Sequence, residues 1–264
     1  MTKRVAVLGC GPAGLMVAHA ASMSNWAFEI YSKKQKSTLH GAQYLHRPIP
    51  GINLIGPHQV EYRLRGTPED YRSKVYGREW DGTVSPEDLA ESHFAWDLRK
   101  AYDWLWRNYE PWIVDMEINP DSIAKLRRFW DKCDLVISTV PRKIWATNGD
   151  IFESTKIWAL GDSDPDGGLA NQDDFTVICD GTSDCNWYRS AKIFGHSTLE
   201  WPYTELWLKP PANGAVIVEK PLRCETKNGN DFTHLGRYGA WEKGILTSDV
   251  FYQAMEVLAN DQIE

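Results

Sequence analysis

Apolar positions at the start of the chain run together before they begin to spread. Arg4-Val5-Ala6-Val7-Leu8 reads as a strand, and Leu15, Met16, Val17, Ala18, Ala20 and Ala21 recur at helical spacing. Between them stands Gly9-Cys10-Gly11-Pro12-Ala13-Gly14, a strand-to-helix turn with glycines at the first, third and sixth places. In such a turn Gly9 permits the sharp bend, Gly11 lets backbone approach a ligand and Gly14 lets helix and strand pack closely. Trp26 to Tyr31 supplies the next strand and closes a βαβ unit.

The rest of the pattern divides the chain. Gln59 to Arg65 alternates as a strand, and Pro68-Glu69-Asp70 opens a short helix to Tyr76. Ser85 as N-cap with Pro86 at the first helical position predicts one helix carrying Leu89, Trp96, Tyr102, Leu105 and Trp106 to about Tyr109. A strand over Ile113 to Ile118 and a helix from Pro120 to Lys132 follow. Asp134-Leu-Val-Ile-Ser-Thr-Val-Pro141 is continuously apolar, as a buried parallel strand should be. From Ile157 to Val218 the pattern changes to short strands separated by turns, among them an exposed loop at Asp164 to Gly168, and a helix from Thr247 or Ser248 to Leu258 ends it. The fold class expected is α/β: a Rossmann-like nucleotide-binding domain over 1–58, 112–150 and 225–264. A mainly antiparallel-sheet, substrate-facing domain is inserted at 59–111 and 151–224.

Composition narrows the chemistry. A net charge of −7 gives no overall attraction to a phosphate backbone, so long nucleic acid is a poor partner although a local basic groove stays open. Five cysteines lack the paired spacing of a zinc set, and no metal site is expected. No leader pattern precedes the first strand and no apolar run is long enough to span a bilayer, so a cytoplasmic protein acting on a small molecule is expected, of undetermined oligomeric state. Thirteen Trp among 264 residues suit either a ring-lined cavity or core packing.

Candidate groups fall in three places. At the end of the second strand, where an acidic residue usually reads a ribose, stand Ser32 and Lys33, which suit either a ribose hydroxyl or a 2′-phosphate. The loop from Ser37 to Pro50 holds Gly41, Ala42, Gln43 and Tyr44 between His40 and His46, the two histidines being the acid–base candidates. Tyr188 and Arg189, among Trp187, Trp201, Tyr203 and Trp207, offer an aromatic wall and one positive charge; Lys74 and Lys192 are weaker candidates.

The order of these motifs resembles the flavoprotein superfamily that holds UDP-galactopyranose mutase, protoporphyrinogen oxidase and the flavin amine oxidases. Gly9-Cys-Gly-Pro-Ala-Gly-Leu15 is similar to their FAD pyrophosphate turn, and Asp134 to Pro141 to the returning strand of the nucleotide sheet. Asn186-Trp-Tyr-Arg189 with Leu199-Glu-Trp201 is similar to the mutase substrate sheet, and Gly236-Arg-Tyr-Gly-Ala-Trp241 to the C-terminal flavin motif. Ser32 in place of an acid and Gly41-Ala42 in place of Gly-Gly depart from the pattern. The resemblance implies FAD as cofactor, held by Gly9, Gly11, Pro12, Ala13, Gly14, Ser32, Lys33, Gly41, Ala42, Gln43, Tyr44, Gly236, Arg237, Tyr238, Gly239 and Trp241. Gln43 would then bond the flavin edge, and Arg237 the pyrophosphate or the N1–C2 edge. It also implies oxidation of a C–N bond with oxygen as acceptor and His40, His46, Tyr188 and Arg189 as catalytic groups. Non-redox mutase-like chemistry on a sugar nucleotide, or tailoring of an amine on a nucleotide or nucleic-acid base, are the alternatives.

Overall fold

A computed structural model describes residues 2–261 except 42, 55, 85–86, 120–121, 123–131, 162–171, 205–208 and 227–231. The first strand, β1 (Arg4–Leu8), leads into α1 (Pro12–Met23) and then β2 (Ala27–Ser32), which lies parallel beside β1. The chain crosses to a second sheet for β3 (His58–Arg65), α2 (Pro68–Tyr76), α3 (Glu87–Ala90) and β4 (Ser92–Ala95). It comes back through α4 (Leu98–Tyr109) to β5 (Ile113–Asp115) and β6 (Leu135–Ser138). The second sheet is completed by β7 (Ile151–Gly161), β8 (Thr176–Asp180), β9 (Arg189–Ile193), β10 (His196–Pro202) and β11 (Val216–Glu225). A last return gives β12 (Thr233–His234), α5 (Gly236–Ala240) and α6 (Thr247–Asn260).

Two sheets result. One is five-stranded and parallel, in the order β12-β6-β1-β2-β5. The other is seven-stranded, β11-β7-β10-β9-β8-β3-β4, and antiparallel but for the β3–β8 pair. Alternation in β1 sends Val5 and Val7 into a core shared with α1, α4 and α6, and Ala6 and Leu8 to the opposite face with Tyr31, Val136 and Trp145. Both faces of the parallel sheet are thereby covered at its centre, which is why β1 and β6 are mostly apolar. α4 buries Leu98, Ala101, Tyr102, Leu105 and Tyr109, one stripe at helical spacing. A side chain of leucine size buried this way contributes about 1.5–3 kcal/mol.

The single helix expected from Pro86 to Tyr109 is broken. Ser92–Ala95 pairs instead with β3 (Glu61 opposite Ser92, His58 opposite Ala95), so edge pairing overrides helical periodicity there. Asp97 caps the separate α4 by accepting the Lys100 N–H. Ala42, the Ser85–Pro86 helix start, most of the helix expected over Pro120 to Lys132, the loop at Asp164 to Gly168 and Trp207 lie outside the described residues.

His19 ties the parallel-sheet core together. Its Nδ1 lies 2.8 Å from the Tyr109 hydroxyl and its Nε2 2.7 Å from the Pro50 carbonyl, so the neutral ring accepts from the first and donates to the second. Burial lowers its pKa, as it does for His46 and His234, both brought down to about 4. Each group is neutral in both folded and unfolded chains above about pH 6.5 and binds its proton first in the unfolded chain below that. Stability against urea should therefore fall from pH 6.5 to 5, above the range of ordinary carboxylates. A level profile through pH 5 contradicts buried neutral histidines. His19→Leu, which takes a hydrogen-bond partner from Tyr109 and from the Pro50 carbonyl, should cost about 1–3 kcal/mol.

Candidate functional site

Glycine sets the first part of the site. A Cβ on Gly14 would lie 1.9 Å from the Gly9 carbonyl oxygen, so helix α1 meets the turn at a distance that no other residue allows. At Gly11 the same atom meets nothing closer than Ser37 Oγ at 3.7 Å. The space in front of Gly11 is thus open while the turn behind it is tight. α1 has Pro12 in its first turn and no side-chain cap, which leaves its N-terminal N–H groups for a ligand. The segment 33–37 folds over this turn: Cys10 Sγ lies 3.2 Å from the Lys33 carbonyl, and the Tyr102 hydroxyl donates to the Cys10 carbonyl while accepting from the Ser37 N–H.

Ser32 ends β2 opposite Asp115, its carbonyl accepting from the Met116 N–H. Lys33 turns away to an exposed ion pair with Glu117, 3.1 Å.

The C-terminal motif closes the turn from the other side. A Cβ on Gly236 would touch Ala13 Cβ at 3.2 Å, and one on Gly239 would strike the Ser138 carbonyl at 2.6 Å, so α5 lies against both the α1 start and the end of β6. Tyr238 donates to the Glu219 carbonyl and Trp241, fully buried, donates to the Glu153 carbonyl, each at 2.9 Å. These two side chains dock the motif onto β11 and β7. Arg237 reaches the Pro221 carbonyl with one amino group at 3.4 Å, and its Nε is buried with no hydrogen-bond partner.

Across the junction the mixed sheet presents a buried charge cluster. Strand pairing puts Ala159, Arg189, Glu200 and Lys220 on one face, because Glu200 lies opposite both Ala159 and Arg189, and Lys220 lies two pairs beyond Val218 in β11. The Glu200 carboxylate, 3% exposed, accepts from Tyr188 Oη at 2.5 Å, from Arg189 at 2.6 and 2.7 Å and from Lys220 Nζ at 2.6 Å. Burial by itself raises a carboxyl pKa, but Arg189 and Lys220 outweigh it and hold Glu200 well below the usual carboxylate range. Lys220 is brought down to about 7, by burial first and by Arg189 and Arg237, against the opposing pull of Glu200. Tyr44 and Tyr62 share a 3.1 Å hydroxyl contact nearby, and burial raises the pKa of both.

Gly41 joins this cluster to the loop. Its φ is +80°, and a Cβ there would lie 2.4 Å from Glu200 Oε1. Gly161 faces the Leu39 carbonyl at 3.2 Å in the same way. Gln43 donates to the His40 carbonyl at 2.7 Å and so braces the loop from within. His46 stacks on Tyr44, ring centres 4.4 Å apart, and burial with His93 keeps it neutral at pH 7. Lys74 is spent on the Thr182 and Cys185 carbonyls and Asp180. Lys192 alternates to the face of β9 opposite Arg189.

Tyr188, Arg189, Gly41 and Arg237 thus share one junction, with the glycine turn reached through Gly236. Sequence reasoning passed over Glu200 and Lys220. Inward alternation of β10 and β11 was the available signal, since both strands carry a charge at a core-facing place.

No protein-family profile matches the chain, and no curated protein sequence matches it. Solved structures do resemble it. The 2,6-dihydroxypyridine-3-hydroxylase of Arthrobacter nicotinovorans superposes with a TM-score of 0.56 at 11% identity, over 100% of this chain and 85% of that one. BrvH, a flavin-dependent halogenase from Brevundimonas sp. BAL3, gives 0.53 at 10% over 98% and 72%. Klebsiella pneumoniae HpxO, complexed with FAD and uric acid, gives 0.53 at 11% over 99% and 80%. The chain shares the fold of these structures. At these identities the likeness is one of fold. It is a likeness to a hydroxylase, a halogenase and HpxO, and it does not support the narrower expectation of the amine oxidase and mutase superfamily. No helix among the described residues is long and apolar enough to cross a membrane, and no group of three or more metal-ligating side chains occurs among them.

The cluster gives a test of its own. Glu200→Ala leaves Arg189 and Lys220 facing each other without their common counter-ion and should lower stability by about 3 kcal/mol, the lower end for breaking a buried pair because both cations keep some solvent contact. Urea denaturation measures it. A loss under about 0.5 kcal/mol would make the cluster a surface feature.

Proposed function

We propose that the chain binds FAD non-covalently at this junction and is an FAD-dependent oxidoreductase that oxidises a small molecule with oxygen as acceptor. One observation carries the reading: an uncapped helix start, a buried guanidinium nitrogen without a partner and a glycine pressed on a buried carboxylate meet at one place from three distant parts of the sequence. A dinucleotide fits what is present. The open side of Gly11 and the α1 N-terminus suit a pyrophosphate, Ser32 and Ser37 flank the adenosine side, and Arg237 suits the anionic edge of the flavin. Bound there, FAD supplies two-electron acceptance and reoxidation by oxygen. The neighbours named for a hydroxylase and for a complex with FAD and uric acid support the same class.

Within that class the sequence resemblance favours oxidation of a C–N bond. An amine must lose its proton before hydride leaves the adjacent carbon, and a junction rich in cations favours the neutral amine. His40 and His46 stand on the loop as the acid–base groups of this reading, and burial, which brings His46 down to about 4, makes it a weak proton acceptor at pH 7. Tyr188 and Arg189 position substrate through the Glu200 cluster. The division into segments 1–58, 112–150 and 225–264 against 59–111 and 151–224 is part of the proposal, with the correction that α4, inside 59–111, buries its stripe in the core of the parallel sheet.

The protein should purify yellow and release FAD, not NADP, on denaturation. Gly11→Val should abolish that binding, because side-chain atoms would fill the open side of the turn. Recovery of no flavin after loading refutes the proposal. Bleaching by an amine under nitrogen with colour returning in air supports the C–N reading, whereas turnover only after chemical pre-reduction favours mutase-like chemistry. Arg237→Ala should weaken FAD by about 1.5–3 kcal/mol, as for a charged hydrogen bond, with little change in apo stability. Unchanged FAD affinity with lowered apo stability would make Arg237 structural.

A further inference from the structure

We propose that Lys220 and Arg189 form a seat for one planar oxyanion of the substrate, a carboxylate or an enolate; this rests on the flavin reading above. Facing Lys220 are Glu200 from β10, Arg189 from β9, Tyr188 immediately before it, Cys179 from β8 and Arg237 from α5, and Arg189 is faced further by Tyr71 and Tyr76 of α2, Tyr62 of β3 and Tyr44 of the loop. Burial raises the pKa of these tyrosines and of Cys179, so they add no charge. With Arg237 given to the cofactor, two cations face one carboxylate. One positive charge is left without a counter-ion in a site where solvent screening is weak.

Geometry supports the seat independently of charge. Glu200 fixes both cations on one side by hydrogen bonds of 2.6–2.7 Å, so their positions are set before any ligand arrives. Arg189 Nε is buried and makes no hydrogen bond in the protein. Lys220 and Arg189 nevertheless keep 14% and 23% of their side-chain surface open, so a ligand can reach them. A flat delocalised oxyanion bonds a guanidinium and an ammonium together, as the Glu200 carboxylate already does. A phosphate dianion would overcompensate a single positive charge, and a protonated amine would add to it.

Without a ligand the excess charge is relieved at Lys220, the group brought down to about 7. An oxyanion beside it restores the proton, so binding above pH 7 takes one up. The experiment titrates FAD-loaded protein with benzoate, benzamide and benzylamine at pH 6.5 and 8.5, read by calorimetry and by the flavin absorbance. Benzoate should bind about 10-fold or more tightly than benzamide, the scale of one charged hydrogen bond, and benzylamine most weakly. At pH 8.5, comparison of buffers with different ionisation heats should show uptake approaching one proton. Lys220→Met should lose both the benzoate preference and the proton uptake; Lys220→Arg should keep the preference and lose the uptake. Equal affinity for benzoate and benzamide, or a preference that survives Lys220→Met, overturns the seat. If Lys220→Met does not fold, Lys220→Arg and the wild-type proton count decide. Protein that takes up no FAD refutes the flavin reading instead, and the calorimetric titration of that protein still reads the seat.

Discussion

A carboxylate buried among two cations and a phenol stands where the mixed sheet meets the loop that leaves the parallel sheet. Glu200 accepts from Tyr188, Arg189 and Lys220 on its own sheet while its Oε1 rests against Gly41 of the loop that leaves the parallel sheet. Taking such a charge from water costs several kcal/mol, and its attraction to neighbours repays this only when the remaining lone pairs are also bonded. A packed apolar group would stabilise the contact as well or better. The cluster is therefore weak as an explanation of stability and stronger as an explanation of what the junction recognises.

Close glycine contacts carry the same constraint through the rest of the molecule. Gly14 lets α1 touch the turn at Gly9, Gly236 and Gly239 let α5 sit on α1 and β6, and Gly41 lets the loop reach Glu200. Each contact replaces a side chain with backbone approach. The consequence is a continuous path from the helix start to the charge cluster. Tyr238 and Trp241 extend that path to β11 and β7 by hydrogen bonds to backbone carbonyls, so the C-terminal motif also fixes the mixed sheet.

Electrostatics divides the junction from its surroundings. His46 and His234 are kept neutral by burial, and the buried tyrosines hold their protons, so the charge of the cluster itself is that of Arg189, Glu200 and Lys220, with Arg237 beside it. The negative net charge of the chain is not repeated there. Local charge, not the overall balance, decides which ligand such a site accepts.

Much of this was legible in the sequence. The glycine spacing, the apolar run from Asp134 to Pro141 and the change to short strands from Ile157 describe an α/β fold with a second sheet, because each signal is local and set by backbone geometry. The break of the expected helix at Ser92–Ala95 was not legible, since its cause is the edge of β3, 31 to 37 residues earlier in the chain. The pairing of Glu200 with Lys220 was equally hidden. Either residue alone reads as a solvated charge on a strand, and strand register places them on one face. Propensity and periodicity act over one or two turns, whereas a buried charge is specified by partners that only the folded sheet brings within 3 Å.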